Sequence, residues 1–208
     1  MSIEKHIIAS CVISNNTVIK NREPVFETAH ANLHNFLLAI YNHFGIAYPK
    51  FYKMDSLSKL GWLASEILLK DSFTSSDYTP AEIGIVLSNA NASLDTDFKY
   101  IDTVKDIASP SVFVYTLPNI VMGEICIRNK FKGENAFFVF SAFDADFIQR
   151  YVSSLMDNNI VEACICGWVD LLGEDYKAAL YLVEKNVTKP DTLFTTKNIT
   201  DIFNAGNG

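Results

Sequence analysis

Four short apolar runs set the fold class: IGIVL (Ile83–Leu87), AFFVF (Ala136–Phe140), the stretch Ile160–Val169, and AALYLVE (Ala178–Glu184). A strand with one wet face alternates apolar and polar residues. Runs without that alternation are read as strands covered on both faces. The segments between them change period. Leu33, Phe36, Leu37, Ile40, Tyr41 and Phe44 recur at three- and four-residue spacing, predicting a helix over Thr28–Phe44 that Gly45 stops. Asp55 is placed to cap a second helix carrying Leu57, Leu60, Leu63, Ala64, Ile67 and Leu68. Further helices are predicted over Asp97–Lys105, Asn119–Asn129 and Phe143–Met156. Near the start, KHIIASCVIS (Lys5–Ser14) reads as a strand, and Asn15-Asn16 as the turn into a second, TVIK. Strands alternating with helices predict an α/β fold with a mixed, mostly buried sheet and helices on its faces. The strand AFFVF is too short and too apolar for an exposed edge. The folded unit is expected to span residues 1–185, with 186–208 a polar tail whose end, NAGNG, frays and which is able to fold back over an uncovered helix.

The chain has 208 residues and carries 24 acidic against 17 basic side chains, a formal charge of −7. No run of Lys or Arg stands out. Nucleic acid and anionic membrane are therefore excluded as partners, and no local basic patch for an acidic carrier protein is visible. Cys11, Cys126, Cys164 and Cys166 form no C-x-x-C pair and sit in apolar runs, so they read as small core hydrophobes. No cofactor or metal is expected. His30 and His34, four apart, would share a helical face, and Glu27 could add a ligand. Without an H-E-x-x-H arrangement a solvated helix face is favoured. Asp95 and Asp97 could pair as catalytic carboxylates, but at a helix start they favour the dipole without chemistry. No apolar run approaches the roughly 18 residues needed to span a bilayer. No signal-peptide core follows the initial MSIEKH, so a reduced, cytoplasmic setting is expected.

Several stretches taken in order resemble the N-terminal half of a β-ketoacyl synthase, a member of the thiolase-like superfamily. They are KMDSLSKLGWLASEILL, EIGIVLSNANASLDTDFKY, SPSVFVYTLPNIVMGEICIRNKFKGENAFFVF, CICGWVD and AALYLVE. Within that family the chain most resembles the short chain-length-factor-like subunits of aryl-polyene and flexirubin-type pigment clusters. The resemblance implies a thiolase-like half fold and a place for a nucleophilic cysteine at the turn after AFFVF. That place falls on Ala142, or on Ser141 if the register slips by one, and neither is cysteine. The four histidines, His6, His30, His34 and His43, all precede the turn, whereas the family's lie well after it. The expectation is a non-catalytic subunit that pairs with a full-length ketoacyl synthase as a heterodimer and meets acyl carrier protein only indirectly. In isolation it could form a homodimer.

The resemblance also places Asn135, Phe137, Phe138, Val139 and Phe140 at the partner interface, where the comparable strand pairs antiparallel across a two-fold or pseudo-two-fold axis. The competing reading is an internal strand. It further places Phe113, Tyr115, Leu117 and Met122 against the partner's acyl tunnel, although a core role suits the same residues. Asp170 resembles a family position that ends a strand and reads as structural. The helix after the turn supplies a reading independent of family. Phe143, Phe147, Ile148, Tyr151, Val152 and Leu155 form one stripe, while Asp144, Asp146, Gln149, Arg150 and Ser154 occupy the other side and should meet water or a polar partner. Ser141 could itself be a nucleophile in a small hydrolase or acyltransferase, but it lacks a G-x-S-x-G setting. A helix cap or plain turn is preferred. A scaffold protein that kept the fold is the remaining alternative.

Overall fold

The computed structural model describes residues 4–185 and 192–205. Among the described residues, eight strands form one mixed sheet: β1 (Lys5–Ser14), β2 (Thr17–Lys20), β3 (Glu23–Glu27), β4 (Ile83–Asn89), β5 (Asn135–Val139), β6 (Ala163–Leu172), β7 (Asp175–Lys185) and β8 (Thr192–Leu193). Their order is β3-β2-β1-β7-β6-β4-β5, with β8 on the first half of β1. The β1–β7 and β7–β6 pairs are antiparallel, and β6–β4 and β4–β5 are parallel. The helices are α1 (Leu33–His43), α2 (Ser56–Leu69), α3 (Leu94–Val104), α4 (Pro110–Phe113), α5 (Ile120–Asn129), α6 (Ala145–Asp157) and α7 (Thr196–Asn204).

The apolar runs are two-faced, as their lack of alternation requires. In β7, Ala178, Leu180 and Leu182 enter one core with α1, α2 and α5, while Ala179, Tyr181 and Val183 enter the other with α6 and α7. The first core is the larger. Its helix α2 is buried nearly all round, and Trp62 stacks on Tyr48 at 5.1 Å. Asp55 caps α2 as expected, accepting from the Ser58 N–H at 2.9 Å. The turn at Asn15-Asn16 is also as expected, both residues taking the positive φ that a tight hairpin turn needs.

Three of the differences from the sequence reading change the architecture. The helix predicted from Thr28 begins at Leu33, because Glu23–Glu27 pairs with β2 as an exposed strand and Asn32 supplies the cap. Ser109 and Pro110 start a single helical turn, α4, in what reads as an aromatic linker. The stretch read as polar tail contributes β8 and α7. The Tyr181 hydroxyl donates to the Ile199 carbonyl at 2.9 Å, Phe203 stacks on Phe143 at 4.4 Å, and α7 lies beside α6 on its face of the sheet. The final NAGNG lies mostly outside the described residues.

Gly61 shows how closely α2 fits the first core. A Cβ there would meet Val121 Cγ2 at 2.5 Å and Val169 Cγ1 at 3.1 Å. Gly61→Ala is therefore expected to lose about 1–3 kcal/mol of stability by overpacking, despite the better helix propensity of alanine. Urea unfolding checks this; an unchanged or higher midpoint would contradict the packing.

Candidate functional site

The strand β5 is the last in the sheet, with nothing on its outer side among the described residues. This corrects the reading of AFFVF as a strand unsuited to an edge: helices cover its faces in part, but its flank is open. Phe137, Phe138 and Phe140 are half-buried, and Val139 is 53% exposed. The ladder geometry shows which backbone groups are free. The Phe140 N–H donates to Asn89 O at 2.9 Å, and Glu134 O accepts from the Ile85 N–H at 2.9 Å. Even-numbered residues thus bond inward to β4. Asn135, Phe137 and Val139 point their N–H and C=O groups outward.

Behind this edge, β5 and α6 build a ring cluster. Phe138 lies 4.7 Å from Phe147, 5.0 Å from Tyr151 and 5.9 Å from Phe140, and Phe140 lies 4.9 Å from Phe147. Edge-to-face ring pairs contribute about 0.5–1.5 kcal/mol each beyond burial. They stiffen the strand where it is unsupported laterally. The opposite side of α6 meets water as its sequence requires: Asp144, Asp146, Arg150 and Ser154 are exposed, and Arg150 pairs with Asp146 at 2.9 Å.

Between strand and helix, Ser141 and Ala142 are exposed in a bend. The helix cap is Asp144, whose carboxylate accepts from the Phe147 N–H at 2.8 Å. Capping by Ser141 is thereby overturned; the serine lies in the bend before the cap. His34 and His43 ride on α1 and His30 on the loop before it, on the other face of the sheet from α6. His6 lies in β1, with β7, β6 and β4 between it and β5. His30 has a φ of 48° outside any helix, so the shared helical face expected for His30 and His34 does not form. Among the described residues no group of three His, Cys, Asp or Glu side chains is placed to hold a metal.

The other single residues have structural partners. Asp170 accepts from the Ala90 and Asn91 N–H groups and from Asn91 Nδ2, at 2.9–3.1 Å, fastening the loop after β4. Asp95 pairs with Lys99 at 2.6 Å, and Asp97 accepts from Ser93 Oγ. The thiols of Cys11 and Cys164 are fully buried, and burial pushes them up to about 12. Burial raises Cys166 and Cys126 as well.

The four candidate tunnel residues divide. Tyr115 (8% exposed) and Met122 (5%) belong to the first core, whereas Phe113 and Leu117 (both 57%) stand on the surface. The Tyr115 hydroxyl donates to Glu124 at 3.0 Å. Lys50 Nζ approaches the other oxygen of that buried carboxylate to 2.7 Å, an ion pair without hydrogen-bond geometry. Beside Phe113, the sequence reading missed an exposed stripe on α3: Leu94, Phe98, Ile101 and Val104. Its spacing was legible, but only Thr96 of α3 is buried, so the apolar stripe faces outward and not into the core. The reading of no basic patch also needs correction. Lys53, Lys59 and Lys99, far apart in sequence, converge on one pocket.

One mixed sheet covered by helices on both faces, ending at β5 and the turn into α6, has a thiolase-like, ketosynthase-type fold, shared with solved structures. Solved structures similar to this chain carry that fold. In "The ishigamide ketosynthase/chain length factor", the matched chain is 14% identical with a TM-score of 0.64, over 89% of this chain and 63% of that one. In the ketosynthase ApeO in complex with its chain length factor ApeC from Xenorhabdus doucetiae, the values are 12% identity and a TM-score of 0.57, over 99% and 92%. A β-ketoacyl synthase from Burkholderia phymatum STM815 gives 11% and 0.59, over 88% and 59%. This chain thus spans under two thirds of the first of these and nearly all of the second. No family model and no curated protein matches the sequence.

The thiols give a direct check on the chemistry of the site. In the native protein at pH 7.5, iodoacetamide is expected to leave Cys11, Cys164 and Cys166 unmodified and to label Cys126 slowly, with all four reacting after denaturation. Mass spectrometry reads this. Rapid native labelling of a core cysteine would show an activated thiolate that the structure does not provide.

Proposed function

We propose that this chain is a non-catalytic, chain-length-factor-like subunit that pairs with a full-length ketoacyl synthase. The observation that carries the reading is the open flank of β5. An antiparallel strand from a partner would satisfy the outward groups of Asn135, Phe137 and Val139 and continue the sheet across the interface. Burying two phenylalanine side chains there would contribute roughly 3–6 kcal/mol, at about 1.5–3 each. The turn supports the division of labour. Acyl transfer needs a nucleophile with a base in reach; Ala142 carries no nucleophile, and the histidines lie on β1, on α1 and in the loop before it, away from Ser141. Similar structures include a ketosynthase with its chain length factor, which supports such a pair.

The setting proposed is cytoplasmic synthesis of a polyene-type lipid or aryl-polyene pigment, with acyl carrier protein serving the partner. Phe113 and Leu117 are free to close the end of the partner's acyl tunnel, while Tyr115 and Met122 hold the segment from behind. In isolation, two copies would pair through β5.

Co-expression with full-length ketoacyl synthases of the native host tests the reading. Native mass spectrometry should show a one-to-one complex, and elongation should require both chains. Failure of every synthase to associate, or elongation by this chain alone, would overturn it. Val139→Pro removes one outward donor and leaves the inward ladder to β4 intact. It should abolish the complex, and any homodimer, in sedimentation while the melting temperature stays near wild type. Phe113→Ala and Leu117→Ala should lengthen the product of the reconstituted pair; unchanged length would remove the tunnel assignment.

A further inference from the structure

An open pocket of about 270 Å³, with no residue of β5 in its wall, lies between the turn Pro49–Lys53, the start of α2, α3 and α4. Its wall is amphipathic. Lys53, Lys59 and Lys99 supply cations, and Met54, Val112 and Tyr115 supply apolar surface. In a chain with a formal charge of −7, three ammonium groups around one opening are a local reversal of sign.

The charges in the wall are not balanced internally. Asp55 is the lining carboxylate, and both of its oxygens are engaged: one accepts from the Ser58 N–H at 2.9 Å and the other from Thr96 Oγ1 at 2.7 Å. Lys99 is held by Asp95 at 2.6 Å. Lys53 and Lys59 have no carboxylate within ion-pairing distance among the described residues. Lys59 is also half-buried, with Phe51 beneath its ammonium at 5.5 Å. Burial lowers its pKa, and nearby Lys99 lowers it further against the pull of Asp55. A half-buried cation with no carboxylate in direct contact carries a desolvation cost that a bound anion would offset. The volume is slightly below the usual range for small-molecule pockets. It suits a compact headgroup with a short chain and cannot enclose a folded protein.

We propose that this pocket binds a small amphipathic anion, a phosphate monoester or a carboxylate bearing a short alkyl chain. The headgroup sits between Lys53 and Lys59, and the chain lies against Met54, Val112 and Tyr115. The site stands whether or not the chain pairs with a synthase.

Calorimetric titration of the full chain at low salt tests this, using octyl phosphate and octanoate below their micelle-forming concentrations, with inorganic phosphate and octanol as controls. At least one amphiphile should bind saturably, and the tighter of the two identifies the headgroup. Both controls should bind at least tenfold more weakly. Lys53→Gln and Lys59→Gln should each weaken binding about tenfold, the expected effect of losing one charge-assisted contact. Lys132→Gln, an exposed residue outside the pocket, should change nothing. Lys53 is exposed, so its variant retains the fold. Absence of saturable binding by either amphiphile would overturn the proposal. So would wild-type affinity in both pocket variants, or octanol binding as tightly as octyl phosphate.

Discussion

Burial of β7 on both faces is the constraint on which the rest of the structure depends. Its residues 178–183 divide one by one between two cores, so neither helical layer can form its core without this strand in register. The neighbouring β6 repeats the pattern, with Ile165 and Val169 on one side and Cys164 and Cys166 on the other. A slip of one residue would push Tyr181 into the layer built for Leu180 and Leu182. It would also break the hydroxyl contact that holds α7. The sheet centre is thus strongly specified, and variation is left to its margins.

The division between centre and margin explains what the residues disclosed. The uninterrupted apolar runs announced the central strands, and the three-and-four spacing of α1 and α2 announced the larger core, with Asp55 as its cap. The resemblance to ketosynthases, carried by the order of these stretches, matches the fold. Composition conveys burial but not lateral position. The segment AFFVF has the makeup of an interior strand and sits at the end of the sheet, because what covers its faces says nothing about its flank. The strand Glu23–Glu27 was illegible for the converse reason. Pro24 and flanking glutamates suppress the strand signal at an exposed edge, where a proline does least harm.

Convergence over long sequence separation was hidden altogether. Lys53, Lys59 and Lys99 are scattered among acidic and apolar neighbours, and only the approach of α3 to the start of α2 brings them together. Tyr115 and Phe113, two apart in the chain, take opposite environments, because the turn of α4 buries the first against Glu124 and leaves the second outside. A pattern of aromatics cannot report such a division without the backbone path.

The carboxylate of Asp144 has a consequence for any thiol placed in the bend before α6. The amide end of α6 carries partial positive charge, the kind of field that lowers a thiol's pKa and makes it reactive. Here a fixed negative charge already occupies that end. Sulfur installed at position 142 would therefore meet a helix-end field opposed by a carboxylate two residues away, which works against its ionisation. A reactive thiol at this bend would take the removal of an anion as well as the addition of sulfur.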